Sequence, residues 1–137
     1  MVRVLTIAEL FDAAHILSAG ARVKGNRLAV VTNAGGPGVM AADSAVEAGV
    51  SIPELDESTI KKLDKVLPAA WSRANPVDLL GDAAPERYKD AILACQEGDQ
   101  CDGVLAMFTP QAMSKPTEAA KQVIAAAQKG KKPSIAC

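Results

Sequence analysis

Residues 27–43 read RLAVVTNAGGPGVMAAD. Leu28 to Thr32 is a short apolar run rich in β-branched residues, as a buried strand is. The run breaks at Asn33-Ala34-Gly35-Gly36-Pro37-Gly38, and Val39, Met40, Ala41 and Ala42 open a helical segment that Gly49 ends. A strand, a glycine turn and a helix start, in that order, make a natural anion site. The first N–H groups of a helix have no partner inside it, and they point into the turn. The helix dipole favours negative charge at the same place. The same glycines also permit a tight strand-to-helix turn with no ligand at all, so the residues of this stretch leave both readings open.

Working outward, the pattern alternates. Ile7 to Ser18 reads as a helix with Thr6 and Glu9 as its capping box and Ile7, Leu10, Phe11, Ala14 and Leu17 as one apolar stripe. Gly20 stops it, and a polar link leads into a strand over Arg27–Thr32. The second helix is expected from Pro37, suited to a first turn, to Ala48. Val50 to Pro53 is expected to form a short strand. Asp56 then caps a helix through Leu67 with Ile60, Leu63 and Leu67 on one face, and Pro68 ends it. Pro76 disfavours helix at Asn75, so Asn75–Gly81 is an extended segment ending in a turn. A helix from Pro85 turns Tyr88, Ala91, Ile92 and Cys95 inward. Gly103 to Phe108 is an uninterrupted apolar run, read as a strand buried on both faces. Thr109 to Ser114 is a loop, Lys115 to Lys129 a helix closed by Gly130, and Pro133 to Cys137 the start of a last strand. Strands alternating with helices predict an α/β, flavodoxin-like three-layer fold with a mainly parallel sheet. A helix with no strand before it at one end, and an unfinished strand at the other, is the pattern expected of one such domain, 1–137, belonging to a larger multidomain chain.

The bulk numbers agree with that class. A chain of 137 residues, 49% hydrophobic but only 3% aromatic, fits one domain with small side chains in its helix–sheet contacts. The formal net charge is −1 and no basic tract occurs, which argues against a nucleic-acid partner. No apolar run approaches the roughly 20 residues that span a bilayer, and the N-terminus has no signal-peptide pattern. Cys95, Cys101 and Cys137 are odd in number and lack paired CxxC spacing, so they read as reduced thiols of a cytoplasmic protein rather than a disulfide or zinc framework.

Ligands of open parallel sheets bind beyond the carboxyl ends of the strands. Asn33–Gly38, Asp78–Asp82 and Thr109–Ser114 fall at such ends, and the first and third lead into helix starts. The absence of Lys and Arg between Asn33 and Gly38 suits recognition by backbone N–H groups. Gly35, Gly36 and Gly38 do not spell GxGxxG and lack the trailing Lys-Ser/Thr of a P-loop, so the turn is not read as a nucleotide site. Asp78 is expected to bind backbone N–H groups of its own turn or to orient a ligand. His15, the single histidine, lies beside the apolar stripe of the first helix, away from these loops, and is not assigned catalysis or metal binding.

Three stretches together, Val31-Thr32-Asn33-Ala34-Gly35-Gly36-Pro37-Gly38, Asn75-Pro76-Val77-Asp78-Leu79-Leu80-Gly81-Asp82 and Thr109-Pro110-Gln111-Ala112-Met113, resemble the NDP-forming acyl-CoA synthetase superfamily. The likeness is to the ADP-forming acetyl-CoA synthetases, and to protein lysine acetyltransferases that carry the same module. It runs from Thr6-Ile7-Ala8-Glu9-Leu10-Phe11 to Lys132-Pro133. The part resembled is the second flavodoxin-like domain, similar to the C-terminal domain of the succinyl-CoA synthetase β subunit. The resemblance implies a reaction in which acetyl-CoA, ADP and phosphate give acetate, ATP and CoA through an acyl-phosphate and a phosphohistidine. It further implies that CoA, ADP or ATP and Mg are held by other domains or subunits: a CoA-binding domain, a phosphohistidine domain and an ATP-grasp domain. This domain would supply a helix N-terminus and groups for the acid or phosphate. Asn33 and Pro110-Gln111-Ala112 match substrate-contacting segments, and Gly35, Gly36 and Gly38 match the helix-start turn. The succinyl-CoA synthetases carry glycines where this chain has Thr109-Pro110. On this reading Asn33 and Gln111 donate to the ligand, and backbone N–H groups from Gly36 to Val39 hold its charge, in a fragment that is inactive alone. Two alternatives remain open: a regulatory module of a lysine acetyltransferase, and a flavodoxin-like interaction module with no ligand.

Overall fold

The computed structural model describes residues 3–20 and 22–137. In chain order the elements are α1 (Ile7–Ser18), β1 (Leu28–Thr32), α2 (Gly35–Glu47), α3 (Glu57–Leu63), β2 (Val77–Asp78), α4 (Pro85–Glu97), β3 (Gly103–Met107), α5 (Pro116–Lys129) and β4 (Ser134–Ala136). The four strands form one parallel sheet in the order β2-β1-β3-β4. β1 and β3 pair along their whole length, from Leu28 opposite Gly103 to Thr32 opposite Met107. The chain leaves these two neighbours in different directions, so the strand order reverses between them, which is the switch point where flavodoxin-like sheets bind their ligands. No helix among the described residues is long and apolar enough to cross a membrane.

The period-two alternation of β1 divides the interior. Ala29 and Val31 enter the main core with Leu63, Leu67, Trp71, Tyr88, Ile92 and Val104. Val30 and Thr32 are equally buried but stand outside that cluster, and Thr32 is the residue against which α2 packs. The α4 face is as the apolar spacing predicts, with Tyr88, Ala91, Ile92 and Cys95 all buried. Burial pushes the Cys95 thiol up to about 12, which leaves it inert.

Several expectations are corrected. α2 begins at Gly35, two residues before Pro37, because Ala34 is already extended and the glycines adopt helical geometry without hindrance. The short strand expected at Val50–Pro53 is reduced to one parallel bridge, Ser51 with Arg27. α3 ends at Leu63, and Leu67 reaches the core from the turn that follows. β3 is not buried on both faces: Val104 and Ala106 are, whereas Leu105 and Met107 are half-buried. The α1 capping box expected forms in half: Thr6 Oγ1 accepts the Glu9 N–H, but the Glu9 carboxylate reaches back to the Leu5 N–H, one residue before the N-cap, and not to Thr6. None of the helix is buried, however, and its apolar stripe is exposed, Ile7 by 74% and Phe11 by 70%.

The stub β2 leaves part of the β1 edge without a strand beside it. Asn75 fills the gap. Its Oδ1 accepts the Val30 N–H, and its Nδ2 donates to the carbonyls of Leu28 and Pro53. A side chain thus supplies the ladder bonds that a longer β2 would have made.

Candidate functional site

The β1–α2 turn is built to leave donors free. Thr32 Oγ1 accepts the Ala34 N–H at 3.1 Å and fixes the chain as it leaves the strand. Ala34 is the N-cap and has no side chain with which to cap α2. Pro37 has no N–H, Gly38 N–H is bonded to Ala34 O at 3.1 Å, and Val39 lies in the second turn, where the helix ladder takes up its N–H. Among the described residues, this leaves the Gly35 and Gly36 N–H groups as the unpaired donors of the first turn. The donor set expected over Gly36–Val39 is therefore moved toward the N-terminus and narrowed. Gly38 has a packing role: a Cβ there would lie 2.7 Å from Thr32 Cγ2. Gly36 faces open space.

The strand-end loops come together at this corner. Asn33 is 2% exposed, and its carboxamide is bonded both ways to one residue of the β3–α5 loop: Nδ2 donates to Thr109 O and Oδ1 accepts the Thr109 N–H, both at 2.8 Å. Beneath this pair the Tyr88 hydroxyl donates to Met107 O at 3.1 Å. Burial pushes the Tyr88 phenol up, against the opposing pull of the Asn33 backbone amide, so it stays protonated as a donor. The third loop joins through Asp78 and Gly81. Asp78 Oδ1 accepts the Leu80 N–H at 2.9 Å, and its Oδ2 lies 3.0 Å from where a Cβ on Gly35 would stand. Asp78 therefore does make the turn bond expected of it, and it also places a carboxylate beside the start of α2. Leu80 takes φ of 70°, a left-handed geometry that is strained for a branched side chain. Arg87 borders the same loop, donating from Nη1 to Leu79 O and Asp82 Oδ1. The Gln111 side chain lies about 4 Å from where a Cβ on Gly81 would stand.

Pro110, Gln111 and Ala112 are exposed, and their turn is closed by Ser114, whose hydroxyl accepts the Gln111 N–H and donates to the Gln111 carbonyl. The start of α5 differs from that of α2. Pro116 occupies its first turn and borders an apolar cavity of about 370 Å³ with Phe108, Ala119 and Val123 in its lining. The polar contact with the α2 corner comes from Thr109 instead. Sequence reasoning missed Tyr88, Thr32 and Arg87 as parts of this corner. The apolar spacing places Tyr88 on the inward face of a helix, and no local pattern shows that its hydroxyl reaches the end of β3.

Chemically, the corner offers two open amides at the positive end of a 13-residue helix and one carboxylate at its edge. Such a set suits a small anion with an oxygen to accept N–H bonds and a hydroxyl or N–H to meet Asp78. The turn has no P-loop lysine.

Known proteins resemble this chain over most of its length. A family model described as the Ligase-CoA domain matches residues 28–132, from the first residue of β1 to the approach to β4. The ADP-forming acetate–CoA ligase I of Archaeoglobus fulgidus is 41% identical over 124 residues, covering 90% of this chain and 18% of that protein. The ADP-forming 4-hydroxybutyrate–CoA ligase of Nitrosopumilus maritimus is 31% identical over 135 residues, covering 98% of this chain and 19% of that protein. The solved dinucleotide-forming acetyl-coenzyme A synthetase 1 of Ca. Korarchaeum cryptofilum, in complex with phosphate and ADP, superposes with a TM-score of 0.88 at 29% identity over 97% of this chain. The chain spans about a fifth of the length of these curated relatives and 29% of that solved chain.

Proposed function

From a chain that belongs to the Ligase-CoA domain family, we propose a phosphate- and acid-binding domain of an ADP-forming acyl-CoA synthetase. The parent reaction converts acetyl-CoA, ADP and phosphate to acetate, ATP and CoA. In this reading the domain forms one wall of an active site whose CoA-binding, phosphohistidine and ATP-grasp parts lie in other domains or subunits, which also hold CoA, nucleotide and Mg. The observation that carries it is the uncapped α2 N-terminus, with the Gly35 and Gly36 N–H groups open at the β1/β3 switch point. Phosphate, the ion named with the solved Korarchaeum relative, is the ligand class that this corner fits.

The Gly35 and Gly36 amides receive oxygens of the anion, and Gln111 adds a side-chain N–H from the facing turn. Each charge-assisted bond of this kind contributes roughly 1.5–3 kcal/mol. Val39 and Gly38 support the turn from within the helix, Pro110 and Ala112 shape the opposite lip, and Asp78 orients a protonated ligand group. Titrating the chain with inorganic phosphate and acetyl phosphate, while following amide shifts, tests the reading. The expected response is centred on Gly35, Gly36 and Gln111. A flat response at all three with both ligands would overturn it. The chain alone is expected to form no acetyl-CoA from acetate, ATP and CoA, and measurable turnover by residues 1–137 would contradict the division of labour.

A further inference from the structure

The β1·β3 ladder ends where Thr32 stands opposite Met107. Beyond that rung the strands part, one toward Gly35 and the other toward Pro110. The next link between them is a side chain: Asn33 donates from Nδ2 to Thr109 O and accepts the Thr109 N–H at Oδ1, both at 2.8 Å. The two-way pairing fixes which end of the carboxamide is which. It also spends Oδ1 and one N–H of a side chain that is 2% exposed. Around it, Thr32 Oγ1 holds Ala34, Thr32 O accepts the Leu79 N–H at 2.7 Å, and Tyr88 holds Met107. The backbone is thus tied on both sides of Asn33 and on the strand side of Thr109.

We propose that Asn33 is a positioning residue that sets the spacing between the Gly35–Gly36 donors and the Pro110–Ala112 turn without itself contacting the ligand. The proposal rests on the anion-binding reading of the α2 corner. Its chemistry is specific to asparagine. Aspartate has the same shape but turns a second oxygen toward the Thr109 carbonyl, so one attraction becomes a repulsion. Serine is too short to bond both groups, and glutamine carries the amide one methylene too far. The clamp makes the two lips one rigid body, so an anion that touches both needs no further ordering of the loop, a saving that appears directly in affinity.

The test begins with the unaltered chain, labelled with ¹³C and ¹⁵N. A long-range HNCO spectrum is expected to show coupling from the Thr109 amide nitrogen to the Asn33 side-chain carbonyl carbon. It should appear alongside the β1·β3 ladder couplings. Asn33→Asp and Asn33→Ala are then compared with wild type in amide exchange and in a phosphate titration. The Thr109 amide should exchange about tenfold faster or more in both variants while Val31 and Ala106 keep wild-type exchange. Phosphate affinity read at Gly35 and Gly36 should fall roughly fivefold or more. A merely structural role would lower exchange protection across β1 and β3 together. Absent coupling, with ladder couplings present and phosphate shifts intact, overturns the clamp alone. Coupling with no phosphate response in wild type overturns the anion reading, and with it the positioning role. Loss of Thr109 protection with unchanged phosphate affinity overturns positioning and leaves the bond a fold contact.

Discussion

A methyl group added to Gly38 would lie 2.7 Å from Thr32 Cγ2 and 3.4 Å from Pro76 Cβ, whereas one added to Gly36 would meet nothing within 4 Å. Two glycines of one turn therefore answer to different constraints. Gly38→Ala is expected to cost about 1–3 kcal/mol, as overpacking does where α2 meets the sheet. Gly36→Ala should be neutral or stabilising by up to about 1 kcal/mol, since alanine favours the helix. Urea denaturation of both variants checks the pair, and equal destabilisation would contradict the geometry. A change in phosphate binding by Gly36→Ala is then a property of the site and not of folding. The sequence shows three glycines alike; only the position of Thr32 behind the helix separates them.

At the scale of elements, two side chains do work that strand pairing leaves undone. Asn75 serves Val30, Leu28 and Pro53 along the β1 edge that the two-residue β2 does not cover. Asn75→Ala leaves the fully buried Val30 N–H without its partner and is expected to lower stability by about 2–4 kcal/mol, measured by the midpoint of chemical unfolding. Pro76 marks extended backbone at Asn75 in the sequence, but a side chain's hydrogen-bond partners 45 and 47 residues away leave no local pattern. At the opposite pole, Asp102 ties the starts of β1 and β3, accepting from the Arg27 Nε, Nη2 and backbone N–H. The Arg27 side-chain bond, joined by its backbone bond, holds the Asp102 carboxyl down at about 2, against an ordinary 3.8. A carboxyl lowered in the folded state stabilises that state fully above its unfolded value. That contribution should fade as pH drops from about 5 toward 2. Unfolding midpoints across this range should fall more steeply for wild type than for Asp102→Asn, and parallel curves would refute the assignment.

At the scale of the whole molecule, the α1 stripe decides what the fold does not need. Leu10, Phe11 and Leu17 are spaced as a core-facing helix would be, yet they are exposed by 54%, 70% and 67%. Phe11→Lys is therefore expected to change stability by no more than about 0.5 kcal/mol, and a loss well beyond that in thermal or urea unfolding would show α1 packed against the chain in solution. The half-buried Leu105 and Met107 of β3 belong to the same difference. Periodicity reports which face of an element is apolar; it does not report whether the rest of the chain is placed to cover it. The corner proposed to bind an anion is a property of the same scale, since β1, β2 and β3 each bring one loop toward it.

Local sequence is enough for the alternation of strands and helices, the parallel flavodoxin-like sheet, the N-cap of α1, the buried face of α4 and the family likeness. These follow from short-range signals: apolar period, turn residues, caps and three motifs in fixed order. The tertiary structure alone decided that Gly35 and Gly36 carry the open donors, that Gly38 serves packing, and that Asn33 faces Thr109 and not solvent. It also reduced the expected strand at Val50–Pro53 to a single bridge and left the α1 stripe uncovered. The physical reason is common to all of these. A donor is free, a methyl group fits, or an apolar face is buried according to what stands opposite it, and here the opposing groups come from distant parts of the chain: Thr109 is 76 residues beyond Asn33.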